Sequence, residues 1–201
     1  KNPVRRVFSF VGVGFLQDVV MNRFSAYLTL VFVLPLPFGA VVGWAWPWFC
    51  AAAVALLLAE LRYVRAVQRA FVLPQLPLPV AFVKGFPLLG LLLLVQLWVA
   101  LQWWLGWSLS AFDTFNALAM GIGLSAFFAL SLLMLSSRER ITALVWVVIL
   151  AAAFQALFGA LMVLSGLEYG FFIEKEHYRN TATGTFINRN HLAGYLELAL
   201  A

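Results

Sequence analysis

Charge is the scarcest property of this chain: 10% of its 201 residues are Asp, Glu, Lys or Arg, against roughly a quarter in a soluble domain. A water-facing surface of ordinary size cannot be built from so few. Cysteine is nearly missing too. Cys50 stands alone, so an intrachain disulfide is excluded and the redox compartment is not encoded. The start of the chain lacks a signal-peptide pattern with a small-residue cleavage site. No Ser-His or Cys-His nucleophile pair is assembled, and Gly12-Val13-Gly14 is no phosphate loop. His177 with Glu174 and Glu176 fits no established ligand spacing, so no metal site is expected. No internal repeat is visible.

What is present is hydrocarbon. Apolar residues make up 64% of the chain, which points to a lipid bilayer as its solvent. Without water in the bilayer core each peptide group must be bonded within its own segment, leaving helices or a closed barrel. The apolar runs are long rather than alternating, which selects helices. The net charge of +5 could suggest nucleic acid, but the basic residues stand at segment ends, where they act as topology signals; no nucleic-acid partner is expected.

The sequence therefore predicts an all-α polytopic membrane protein with about five complete transmembrane helices and a truncated sixth. Residues 1–24 form a lead, either disordered or lying on the membrane surface. Residues 25–164 carry the five spans. The first, Ser25–Val42, should be kinked or ended early by Pro35 and Pro37. The second runs from Pro47, suited to a first helical position, to Leu61, and Glu60, Arg62, Arg65 and Arg69 bring it into water. Phe71–Lys84 is expected to be an extended, proline-stiffened connector. The third span is Phe86–Trp104. The fourth runs from Phe115 to Leu135 with Asp113 as N-cap, and Gly121 and Ser125 permit close helix contact within it. The fifth opens on a capping box, Ser136-Ser137-Arg138-Glu139, and reaches Leu164. Residues 165–190 form an outer loop, and 191–201 open a sixth helix too short to cross a ~30 Å core. A chain that begins at Lys1 and stops within that helix is expected to be a piece of a longer protein.

Charge asymmetry orients the spans. With a cytoplasmic N-terminus, ten basic residues lie inside (Lys1, Arg5, Arg6, Arg23, Arg62, Arg65, Arg69, Lys84, Arg138 and Arg140) and three outside (Lys175, Arg179 and Arg189). Both tryptophan clusters, 44–48 and 103–107, then fall at the outer interface. In a bacterium the 165–190 loop then faces the periplasm or the cell exterior, and the periplasm is the expected side. Phe171, Phe172 and Ile173 are expected to dip into the interface and hold that loop against the membrane.

That loop ends in the densest polar cluster of the chain. Asn188, Arg189, Asn190 and His191 are consecutive, between Gly184 and Gly194. Arg179 and Arg189 offer planar donor forks suited to phosphate and pyrophosphate oxygens. A helix opening at Asn190 or His191 would aim free backbone N–H groups at the same place. Gly184 allows a close backbone approach or a positive φ. His191 and Tyr195 are one helical turn apart, with Glu197 further round, and the imidazole could shuttle protons. The competing reading uses the same residues for structure alone: Arg179 pairs with Glu174 or Glu176, Arg189 reaches lipid phosphate, and Asn188 caps the helix.

The run Thr183-Gly184-Thr185-Phe186-Ile187-Asn188-Arg189-Asn190-His191-Leu192-Ala193-Gly194-Tyr195-Leu196 resembles the G-T-F-x-N-x-N-H-x-A-G-Y-L signature of the O-antigen ligase and polymerase (Wzy-type) family. Weaker echoes are Leu34-Pro35-Leu36-Pro37-Phe38-Gly39 and Gln155-Ala156-Leu157-Phe158-Gly159. The resemblance implies an inner-membrane glycosyltransferase of GT-C-like fold. Such an enzyme passes a glycan from undecaprenyl pyrophosphate to lipid A core, a growing glycan or a protein hydroxyl, on the periplasmic side. It implies no nucleotide sugar, no metal and no other cofactor. In that family a later outer loop carries a histidine and arginines tied to catalysis. This chain holds no such loop, so its catalytic residues stay unassigned and His191 is not that histidine. On their donor chemistry Arg179, Asn188, Arg189, Asn190 and His191 are expected to form one wall of a site for such a pyrophosphate-linked donor. A transporter or flippase segment, or a non-catalytic assembly protein, is the alternative.

Overall fold

The computed structural model describes residues 22–37, 43–70, 79–170, 172–175 and 177–201. Most of the expected lead, residues 1–21, lies outside them, and residues 22–24 already belong to helix α1, which covers 22–33. Pro35, which has no N–H to give the carbonyl of residue 31, stops α1 early, as the sequence leads one to expect. The chain leaves it through a turn in which Leu36 N–H bonds Val33 O at 3.0 Å. The rest of the expected first span, from residue 38 to 42, lies outside the described residues.

Helix α2 is Ala45–Ala70. Pro47 occupies its third position rather than its first, still within the turn whose N–H groups lack helical partners. The helix continues past Leu61 because Leu, Arg, Glu and Ala are good helix formers in water as well as in lipid. Helix α3 is Val80–Trp104, with Pro79 as N-cap and Pro87 inside it. Val80–Lys84, expected to be extended, is therefore helical, and residues 71–78 of that connector lie outside the described residues. Helix α4 is Ala111–Met134. Its N-cap is Ser110, not Asp113: the Ser110 hydroxyl accepts from Asp113 N–H at 3.3 Å. Asp113 stands at the third helical position, where its charge favours the helix N-terminus. Helix α5, Arg138–Leu164, starts where the capping-box pattern puts it to within one residue: the N-cap is Ser137, which accepts from Arg140 N–H, rather than Ser136 paired with Glu139.

A two-stranded hairpin follows, β1 (Tyr169–Gly170) against β2 (Ile173–Glu174). The last helix, α6, is Arg189–Leu200 and opens two residues earlier than His191. Among the described residues, four helices are long and apolar enough to cross a membrane: α2, α3, α4 and α5. The chain is a multi-pass helical membrane protein.

Helix α4 is the common neighbour. Tyr27 of α1 stacks on Phe127 and donates its O–H to Ser131 Oγ at 3.0 Å. Phe24, Tyr27, Leu130 and Met134 form the buried centre of that contact. On another face Gly123 meets Cys50 of α2 so closely that a Cβ would overlap the sulfur and come within 3.0 Å of the Cys50 backbone. Gly121 faces the Gln96 side chain of α3. Close contact was expected at Gly121 and Ser125. Gly121 makes it, whereas Ser125 is buried with its hydroxyl turned back to the Gly121 carbonyl at 2.8 Å.

The two ends of the bundle differ. At one, Arg23 pairs with Glu60 at 2.7 Å and lies over the Tyr63 ring, and Arg140 donates to Met134 O. At the other, Trp44, Trp48, Trp103, Trp104 and Trp107 are exposed. The hairpin and the opening of α6 stand at this second end.

Candidate functional site

The loop between α5 and α6 does not simply lie over the bundle. Its first half closes on itself: Lys175 N–H bonds Glu168 O, the Glu168 carboxylate accepts from Asn180 N–H at 2.7 Å, and Lys175 Nζ donates to Thr181 O at 3.0 Å. Lys175 is buried in this knot, and Tyr178 and Asn180 take positive φ to close it. Arg179 donates through Nε to Lys175 O and through a terminal nitrogen to Glu174 at 3.3 Å. That ion pair is largely exposed, so solvent screens it and it contributes little to stability.

The second half turns inward. Thr183, Gly184, Thr185 and Phe186 are all buried, Thr185 completely. They pack against α5 at Gln155, which is also 0% exposed and sits about two and a half turns, roughly 14 Å, before the helix ends at Leu164. An amide at that depth is costly unless its hydrogen bonds are satisfied. Here both polar atoms have a partner. Gln155 Oε1 accepts from Thr185 N–H at 2.8 Å, and Gln155 Nε2 donates to Thr185 Oγ1 at 2.8 Å. The Thr185 hydroxyl then donates to the carbonyl of Pro35 at 2.8 Å, in the turn that ends α1. Two glycines make room. A Cβ on Gly159 would lie 2.9 Å from Gly184 N, and one on Gly184 would lie 2.5 Å from Gln155 Oε1. Gly184 has φ +58°, so the backbone here uses both freedoms expected of it.

Three residues beyond Thr185, Asn188 caps α6: its side-chain oxygen accepts from Asn190 N–H at 2.8 Å. The expectation of free N–H groups at this opening is corrected, since Asn190 N–H is bonded to the Asn188 side chain and His191 and Leu192 N–H to the Asn188 carbonyl at 3.1 and 3.3 Å. Arg189, Asn190 and His191 are exposed, and the Arg189 guanidinium lies 5.9 Å from the centre of the Tyr178 ring. That contact links the two halves of the loop. Gly194 has open space where a Cβ would be, so no packing demand accounts for it. Tyr195 turns back to the Phe186 ring, 5.5 Å away. His177 is exposed, and Glu176 lies outside the described residues. Among the described residues no group of three His, Cys, Asp or Glu side chains could hold a metal ion.

No family model, curated protein or solved structure matches this chain.

Sequence reasoning singled out the exposed half of the motif and, Gly184 apart, overlooked the buried half. Gln155 entered it only as a member of a weak echo, and Thr185 only as a member of the resembling run. A signal was available: Gln155 is a lone amide in the apolar stretch between Val145 and Leu164, and polar groups inside spanning helices mark buried contacts or function.

Proposed function

We propose that the chain belongs to a bacterial inner-membrane glycosyltransferase of the O-antigen ligase and polymerase type, GT-C-like in fold. It transfers a glycan from undecaprenyl pyrophosphate to lipid A core, a growing glycan or a protein hydroxyl at the periplasmic face. Arg179 and Arg189 contact diphosphate oxygens; Asn188, Asn190 and His191 shape the site or hydrogen-bond sugar. The N-terminus is cytoplasmic and the loop of residues 165–190 periplasmic.

One observation supports this most: the motif is divided by the fold. Thr183–Phe186 are consumed in packing and the Asn188 side chain in capping the Asn190 N–H, and neither job uses the side chains of Arg189, Asn190 and His191. Those three are left exposed on the opening turn of a helix, a position that favours an anion. The three segments that carry the resemblance also meet, through Pro35, Gln155 and Thr185.

The test is transfer by the full-length protein carrying Arg179→Ala or Arg189→Ala. Each should lose glycan transfer by at least tenfold, roughly the worth of one charge-assisted contact. Undiminished transfer in both, at normal expression, rejects the assignment. A transporter reading has one observation in its favour, since non-helical backbone entering a bundle beside a helix N-terminus is also how transporters build their sites. Donor lipid moved across the membrane without any glycan transfer would decide for it.

A further inference from the structure

We propose that Gln155 is a positioning residue. It holds the strap of residues 183–186 inside the bundle and so sets where α6 opens and where Arg189, Asn190 and His191 stand. The last step rests on the functional reading above; the docking itself does not.

The geometry is that of a clamp. Both polar atoms of one buried side chain are spent on one residue, Thr185, on its backbone N–H and its hydroxyl. The hydroxyl hands its own hydrogen to Pro35 O, so a single node joins α1, α5 and the strap across 150 and 30 residues of sequence. Pro35 O is available because α1 has ended and gives it no helical donor. Leu192, on the first turn of α6, lies against the same spot: its Cδ1 is 3.3 Å from where a Gly184 Cβ would be. From this node only three residues reach Asn188, whose cap fixes the direction of α6. A strap released from Gln155 would carry the helix opening with it. The hydroxyl at position 185 has no substitute in valine, which fills the same volume but cannot bond Gln155 or Pro35. Serine keeps both bonds.

The experiment places a reporter where docking hides it. In a Cys50→Ala background, Thr183→Cys puts a thiol at a site that is 1% exposed. Labelling by a membrane-impermeant maleimide, in purified full-length protein, should be slow. Gln155→Leu and Thr185→Val should each speed it on the order of tenfold or more, and Thr185→Ser should leave it slow. Equal labelling in all four proteins, each eluting as a monodisperse peak, overturns the clamp. Hydrogen exchange at the Thr185 amide of the unaltered protein needs no variant: strong protection supports the clamp and loop-like exchange overturns it. The link to the site is read from binding of undecaprenyl pyrophosphate. Weaker binding in Thr185→Val, restored in Thr185→Ser, supports it. Unchanged binding by a strap shown to be undocked overturns the positioning role. The Arg179 and Arg189 variants judge the functional reading separately.

Discussion

Asn188 shows how one side chain can serve structure and still point to function. Its oxygen bonds the Asn190 N–H, and replacing such a cap with alanine costs about 1 kcal/mol. Asn188→Ala should therefore lower the melting temperature of the detergent-solubilised protein by a few degrees. Asn188→Asp, which keeps the acceptor, should leave it unchanged; a thermal-shift assay with both variants checks this. A drop of the same size in both would mean that the amide nitrogen, not the cap, carries the weight. At this scale the sequence was partly legible. The pattern Asn188 to His191 announces polar chemistry by composition alone, and the Arg179–Glu174 pair was foreseen as one of two readings. The partnership of Gln155 and Thr185 was not legible, because it depends on a loop folding inward and no local pattern encodes that.

Helix boundaries were read well where a cap or a proline sets them and less well where charge was used as punctuation. Pro35 did as expected, the α5 cap fell one residue after Ser136, and α5 ends at Leu164 as predicted. Charged residues at Glu60, Arg62 and Arg65 mark where lipid ends, not where the helix does, since Glu and Arg are as helical in water as Leu is in a bilayer. Hence α2 runs on to Ala70. Contacts between helices were legible only as permission: small residues on α4 allow close approach, but the partner of each is decided in three dimensions. That choice is testable. Gly123→Ala must push the α2 and α4 backbones apart, because the obstacle includes Cys50 Cα at 3.0 Å, whereas nothing lies within 4 Å of a Cβ on Gly90. Gly123→Ala should cost about 1–3 kcal/mol, and Gly90→Ala should be neutral or slightly stabilising. Urea or SDS titration followed by tryptophan fluorescence separates the two.

The whole molecule is polar from end to end. Described basic residues from Arg23 to Arg140 gather at the end that holds the Arg23–Glu60 pair, and Lys175, Arg179 and Arg189 stand at the other. The proposed orientation, which follows the positive-inside rule, puts the first end in the cytoplasm. Gly184 is buried, so a thiol placed there would report docking rather than side. Exposed positions serve better. In a Cys50→Ala background, Leu167→Cys should react with an impermeant maleimide on intact spheroplasts, and Ser136→Cys only after the membrane is opened. The reverse pattern would put Arg179 and Arg189 on the wrong side for a periplasmic donor, and the proposed function would fall with them.

The central place of α4 also bears on how the chain is made. Tyr27, Cys50 and Gln96, from three earlier helices, all close onto this fourth one. During synthesis those helices must wait beside the insertion machinery, surrounded by lipid or by a chaperone, until residues 121 to 131 emerge from the ribosome. Assembly of these helices is thus timed by translation, and a stall ahead of Ala111 would leave α1, α2 and α3 with no shared partner to gather them.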